Sequence, residues 1–196
     1  MQGQLTEIIK QYPELKKSAD AATDSVNLAR KSAHLEERAW IIEITDTVPL
    51  ADGKPISVPI QFKNTGKTPA KKFQGHVVVT VLDAGQEPWF DYTSKTVPRT
   101  FMEIGTIFPN APLDLSFKAG KRQGGEKKVI DVTPSIREQI TRGDLYILVY
   151  GNITYDDIFG ASHWMKFCQF NGGHLDISTP KTYKKCSDYN DTDNNE

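Results

Sequence analysis

No stretch of this 196-residue chain approaches the ~18 consecutive apolar residues that a membrane-spanning helix needs. The opening residues, MQGQLTEIIKQYPELKK, contain no apolar block of the signal-peptide kind, so no cleaved secretion signal is expected. An excess of one charge is missing too. Lys and Arg number 24 against 25 Asp and Glu, which removes the case for a strongly basic nucleic-acid binder. Two cysteines cannot hold a disulfide-rich scaffold together. The motif inventory is equally bare, with no GxxxxGK(S/T), GxSxG, HExxH or GxGxxG. These absences leave no enzymatic constellation and no cofactor to expect. What is present is 38% hydrophobic and 25% charged residues, the composition of a globular domain with polar extensions.

The patterning divides the chain into three segments. Residues 1–38 read as a helix that Pro13 starts or kinks. Beyond Pro13, Leu15, Ala19, Ala22, Val26, Ala29 and Ala33 recur at spacings of four and three. Ala dominates the stripe, and a buried Ala contributes well under the ~1.5–3 kcal/mol of a large side chain. The expectation is a helix lying against the domain or extending from it, or a stalk with weak self-association. Its six basic and six acidic residues balance, so an electrostatic membrane-surface helix is not favoured.

Residues 39–180 switch to extended patterning. Ala39 to Thr45 is β-branched and aromatic, and Trp40 there and Trp164 later fit core or sheet-face packing. Ile56, Val58, Ile60 and Phe62 alternate strictly. Pro59 has the opposite parity, which suits an edge position or a bulge. Further strands run over Phe73 to Leu82, Phe101 to Phe108, Leu113 to Phe117, Leu145 to Tyr155 and Ser162 to Phe170. The last two are joined by Asp156 to Gly160 as a β-hairpin. Gly120 to Lys128 reads as a basic loop. Thr133-Pro134 opens a short helix, with Ser135 and Glu138 spaced as a capping box, and Gly143 ends it. About seven strands at this spacing predict a mainly β fold, an antiparallel β-sandwich whose sheets are buried on one face. Residues 181–196 turn polar, and Asp191 to Glu196 are expected to be disordered.

Two series of residues carry a resemblance. The first is the strand from Ile56, then Asn64-Thr-Gly66 and Thr68-Pro-Ala70, then the Val-rich strand to Leu82. Asn64 and Gly66 tolerate positive φ, and the Asn side chain can bond the following backbone. This resembles bacterial Ig-like domains of the CARDB kind (cell-adhesion-related domains). The second series runs Ser32 to Trp40, NTGKTPA, Tyr150-Gly151, Tyr155 to Gly160, His163, Phe167-Cys168, Cys186 and Tyr189-Asn190. It is similar to bacterial membrane proteins with N-terminal transmembrane helices, an Ala-rich helix and one Ig-like β-domain. The resemblance spans roughly residues 18–193. It implies an Ig-like sandwich and membrane association through an upstream anchor, and it brings no catalytic residues. Either the chain is a segment trimmed of its anchor or this member is soluble.

Four sets of side chains could carry function. Asp156, Asp157 and His163 sit about a hairpin tip, where two carboxylates and an imidazole could bind a divalent ion or simply make turn hydrogen bonds. Cys168 and Cys186 lie 18 apart. An oxidising compartment would pair them, at ~3 kcal/mol in the entropic model, whereas a reducing one would leave Cys168 a small buried hydrophobe. No CxxC spacing favours a metal there, and Cys168 and His163 have opposite parity, so they project from different faces. Lys118, Lys121, Arg122, Lys127 and Lys128 form the sharpest charge cluster, able to meet phosphates or an anionic membrane surface, or else a solvated loop. Trp89, Phe90 and Tyr92 offer either an interaction surface or a loop folded over the open end of the sandwich. Two functions fit. One is a binding module presenting loops to a protein or small ligand. The other is a sensor of a nucleotide or other phosphorylated signal, using Lys121, Arg122, Lys127 and Lys128 with Trp89 and Tyr92.

Overall fold

In a computed structural model the described residues are 2–47, 49–90, 92, 98–123, 126–172 and 183–193. The chain divides into two compact units, Met1–Arg38 and Ala39–Glu196. The first is helix α1 (Gln2–Glu37), 36 residues long with Pro13 inside it. Pro13 therefore does not start the helix. Its ring removes one backbone donor, and the helix continues on both sides of it. Leu15 and Val26, on the apolar stripe, are exposed.

The strict alternation at Ile56, Val58, Ile60 and Phe62 becomes strand β2 (Ser57–Asn64), whose even positions are all buried. It is the middle of a three-stranded antiparallel sheet, between β1 (Ile41–Thr45) and β5 (Pro112–Lys118). Pro59 is thus not on an edge strand. It sits one residue beyond the last β1 pair, Thr45 with Ile60, where the ladder no longer needs every N–H. The larger sheet has the order β10-β9-β8-β3-β4. Its strands are β3 (Ala70–Asp83), β4 (Arg99–Ile107), β8 (Leu145–Asp156), β9 (Ser162–Asn171) and β10 (Lys184–Lys185), and β11 (Asp191–Thr192) also pairs with β9.

The two sheets face each other across one apolar layer, making a mainly β sandwich. Val58, Ile60, Phe62 and Phe117 meet Phe73, Val77, Val79, Val149, Ile153 and Phe167 there. The Phe62 ring lies edge-on to Phe73 at 5.3 Å and to Phe167 at 5.9 Å, spanning the gap between layers. Gly151 leaves room for this packing, since a Cβ there would stand 2.3 Å from the Phe167 ring. Trp40 is 40% exposed, so of the two expectations for it the core one fails, and it precedes β1 instead of lying within a strand.

Three local features also differ from the sequence reading. The basic stretch is a two-stranded ribbon of β6 (Gly120–Gln123) and β7 (Glu126–Val129), whose four-residue arms pair in antiparallel register. Helix α2 (Pro134–Arg142) is capped by Thr133, whose hydroxyl accepts from the Ile136 N–H; Ser135 is already helical. Asn64 does not take positive φ, and neither does Gly66. Asn64 is instead a buried hub. Its Oδ1 accepts from the N–H groups of Trp40 and Gly66, and its Nδ2 donates to the carbonyls of Thr68 and Ile107. All four bonding sites of the amide are used, fixing where β1 begins relative to the turn after β2.

Candidate functional site

The hairpin between β8 and β9 divides the three predicted ligands. Asp156 turns outward, its Oδ2 2.7 Å from Lys72 Nζ and its Oδ1 accepting from Ser162. Those two hydrogen bonds hold its carboxyl below the usual range. Asp157 and His163 turn inward and are buried. His163 Nε2 lies 3.0 Å from Asp157 Oδ2, and Nδ1 lies 2.6 Å from Asp193 Oδ2. Burial works against the Asp157 carboxylate, but its hydrogen bonds from His163, Ala161 N–H and Phe159 N–H outweigh burial and hold the carboxyl below the usual range. Both imidazole nitrogens are engaged by carboxylates, so neither offers a lone pair to a metal or to a nucleophile's proton. Among the described residues no group of His, Cys, Asp and Glu could hold an ion. The cluster is a buried clasp.

Its third member, Asp193, lay in the stretch read as disordered. Tyr183 to Asp193 instead runs along β9 as a strap. Lys184 pairs with Phe170, Cys186 forms a disulfide with Cys168, and Asp191 pairs with Lys166. Asn190 joins in, its Oδ1 accepting from the Cys168 N–H and its Nδ2 donating to the Cys186 carbonyl. Residues 181–182 and 194–196 of this segment lie outside the described residues. The Cys168 side chain is on the opposite face of β9 from His163, as their parity requires.

On that opposite, outer face of the large sheet, Val78, Leu148, Tyr150 and Cys168 are buried. The expectation of sheets covered on one face fails here. Phe90 and Tyr92 from the long connection, and Tyr189 from the strap, form the cover. Phe90 stacks on Tyr189 at 4.2 Å, and the Tyr150 hydroxyl donates to the Trp89 carbonyl. The aromatic connection therefore lies over the sheet face and not over the open end of the sandwich. Burial pushes the Tyr92 hydroxyl far above the usual tyrosine range, and the Trp89 side chain is 76% exposed.

Beyond this cap the outer face is only partly covered among the described residues. The strand registers align Phe101, His76, Asn152 and Lys166 in one row, and Glu103, Gln74, Thr154 and Trp164 in the next. Phe101, Glu103, Gln74 and Thr154 are exposed. Lys166 Nζ sits 5.0 Å over the Trp164 ring. A shallow cleft of about 280 Å³ continues the surface past Gln74, Thr154 and Trp164 to Lys72, Asp156 and Ser162. At the row nearest the cap, His76 Nδ1 and Asn152 Oδ1 are buried without a hydrogen-bond partner. Burial and the neighbouring Arg99 push the His76 imidazole below its ordinary value. Sequence reasoning missed this surface, although the alternation of β3, β8 and β9 contained its positions.

The basic residues sit elsewhere. In the β6–β7 register Lys121 pairs with Lys128 and Arg122 pairs with Lys127, and Lys127 Nζ donates to Thr100 Oγ1. The ring contacts of Tyr92 are with His76, Tyr150 and Tyr189, so it is turned into the cap. At the end of the sandwich away from the β8–β9 hairpin, a cleft of about 480 Å³ is lined by Leu50, Ile140, Ile147 and Tyr183 with Arg137 at its side. That Arg is paired with Asp52 at 3.1 Å.

No helix among the described residues is long and apolar enough to cross a membrane. No family model matches the chain, and no curated protein matches it. Among solved structures it is similar to one described as "X-ray structure of Northeast Structural Genomics Consortium target SoR45", at 16% identity over 66% of this chain and 84% of that one. The TM-score is 0.35, too low to carry an argument for fold or function.

Proposed function

We propose that this chain is a non-enzymatic binding module whose ligand surface is the partly exposed region of the large sheet's outer face beyond the aromatic cap. The observation that supports it is the pair of register rows there, which sets the exposed Phe101 ring and the half-buried Trp164 ring beside amide, hydroxyl, carboxylate and ammonium groups. Neighbouring strands repeat these groups every ~4.8 Å, and the sheet is backed by packed core, so the groups are held on rigid elements. Such a surface suits an extended polar ligand laid across the strands, with Phe101 and Trp164 supplying apolar contact. The Ig-like kinship and the membrane association rest on the residue series beginning at Ser32 and NTGKTPA. A nucleotide sensor has less support, because Tyr92 is committed to the cap and not to the basic hairpin.

Screening the chain against peptide and oligosaccharide libraries tests the reading. A true ligand should lose about tenfold or more in affinity on Trp164→Ala or on Gln74→Ala with Thr154→Ala. Ligands whose affinity ignores all of these substitutions would sink it.

A further inference from the structure

The β6–β7 hairpin has an arrangement that a stable two-stranded ribbon would avoid. Its ladder has four rungs, and the two inner ones set Lys121 opposite Lys128 and Arg122 opposite Lys127. Like charges directly opposite each other destabilise a strand pair, and the ribbon is tied to its neighbours only locally, by Thr80 Oγ1 donating to the Gly120 carbonyl and Lys127 Nζ donating to Thr100 Oγ1 among the bonds of the described residues. Lys118, Lys121, Lys127 and Lys128 are all exposed, in a chain whose formal net charge is only -1. A contact that favours the folded ribbon with its cations in place is one that supplies anions.

We propose that the hairpin is a docking element for an anionic lipid surface, with Lys118, Lys121, Lys127 and Lys128 meeting the headgroup phosphates. Shape selects this occupant over a single small anion. Lys127 and Lys128 are consecutive on a strand, so they project to opposite faces of the ribbon. Cations on both faces do not converge on one phosphate, but they suit a sheet of charge into which the ribbon enters edge-on. Neither cleft described above is lined by any of these lysines. The attraction needs no fixed geometry. A cation near an anionic membrane surface strengthens binding about fivefold, and the effect is screened by salt. The inference stands apart from the ligand surface on the large sheet, which lies on other residues.

The test is co-sedimentation of the full chain with phosphatidylcholine vesicles and with vesicles containing phosphatidylglycerol. Binding is expected only to the second, and it should weaken as sodium chloride is raised. K121Q with K128Q should weaken it about 25-fold, two factors of five, K121E with K128E should weaken it further, and K121R with K128R should preserve it. Circular dichroism melts identify any variant that unfolds, and a folded Lys118→Gln then serves as the second charge-removing variant. Equal partition onto both vesicle types, or binding indifferent to the lysine substitutions, overturns the proposal. So does displacement by inorganic phosphate or ATP beyond that produced by sodium chloride of equal ionic strength, because that outcome assigns the hairpin a discrete phosphate.

Discussion

The two faces of the large sheet are built from the same four strands but are closed by different means. The inner face is sealed by another sheet, through Phe62, Phe73 and Phe167 in edge-on contact. Among the described residues the outer face is closed over part of its length, by two aromatic residues of a connection and a strap held by a disulfide and a buried clasp. A face closed by a regular sheet must be apolar at every second position. A face closed by irregular segments can stop partway and leave polar rows for a partner. Stability is expected to depend mostly on the first face, and recognition on the second.

The strongest challenge to that division is to open the inner face. Phe62→Ala should cost about 3–5 kcal/mol by chemical denaturation, because it leaves a cavity between both layers. Gentler disruption of the outer face is available. Reducing Cys168–Cys186, which are separated by 18 residues, should lower stability by about 3 kcal/mol in the entropic model, read as a fall in Tm with dithiothreitol that Cys168→Ala/Cys186→Ala abolishes. An unchanged Tm would mean that hydrogen bonds and the clasp suffice to hold the strap.

Acid should loosen the clasp next. The Asp157 carboxyl is held below its ordinary value in the folded protein. Its contribution is therefore complete above the unfolded value near ~3.9 and is lost as pH falls through the lower folded value. Urea midpoints should drop on acidification below about pH 4, and Asp157→Asn should flatten that limb while lowering stability at neutral pH. The smallest effect sharpens the contrast. Gln74→Ala and Thr154→Ala, on the exposed rows, should change stability by less than about 0.5 kcal/mol. A larger loss would mean that these residues serve the fold and not a ligand.

The strands were legible because their signal is local. Alternation at Ile56 to Phe62 or at Val77 to Val81 states which side chains share a face without reference to any other segment. The hairpin through Asp156 to Gly160 was legible for the same reason. Asp193 was not, since its partner lies 30 residues away and a polar run near the chain end has the composition of a disordered tail. The outer cap was hidden because Phe90, Tyr92 and Tyr189 belong to no periodic element. The basic hairpin was masked by its charge, which reads as solvated loop although Gly124-Gly125 marks a turn.

Sequence alone determined that this chain makes half-buried antiparallel strands with a helix ahead of them, because a period of two and a period near 3.6 are consequences of backbone geometry. Only the tertiary structure decided which outer positions are covered and which are free, that Cys168 meets Cys186, and that His163 rests between two carboxylates. Those outcomes depend on register and on long loop closures, and neighbouring residues along the chain hold no record of them.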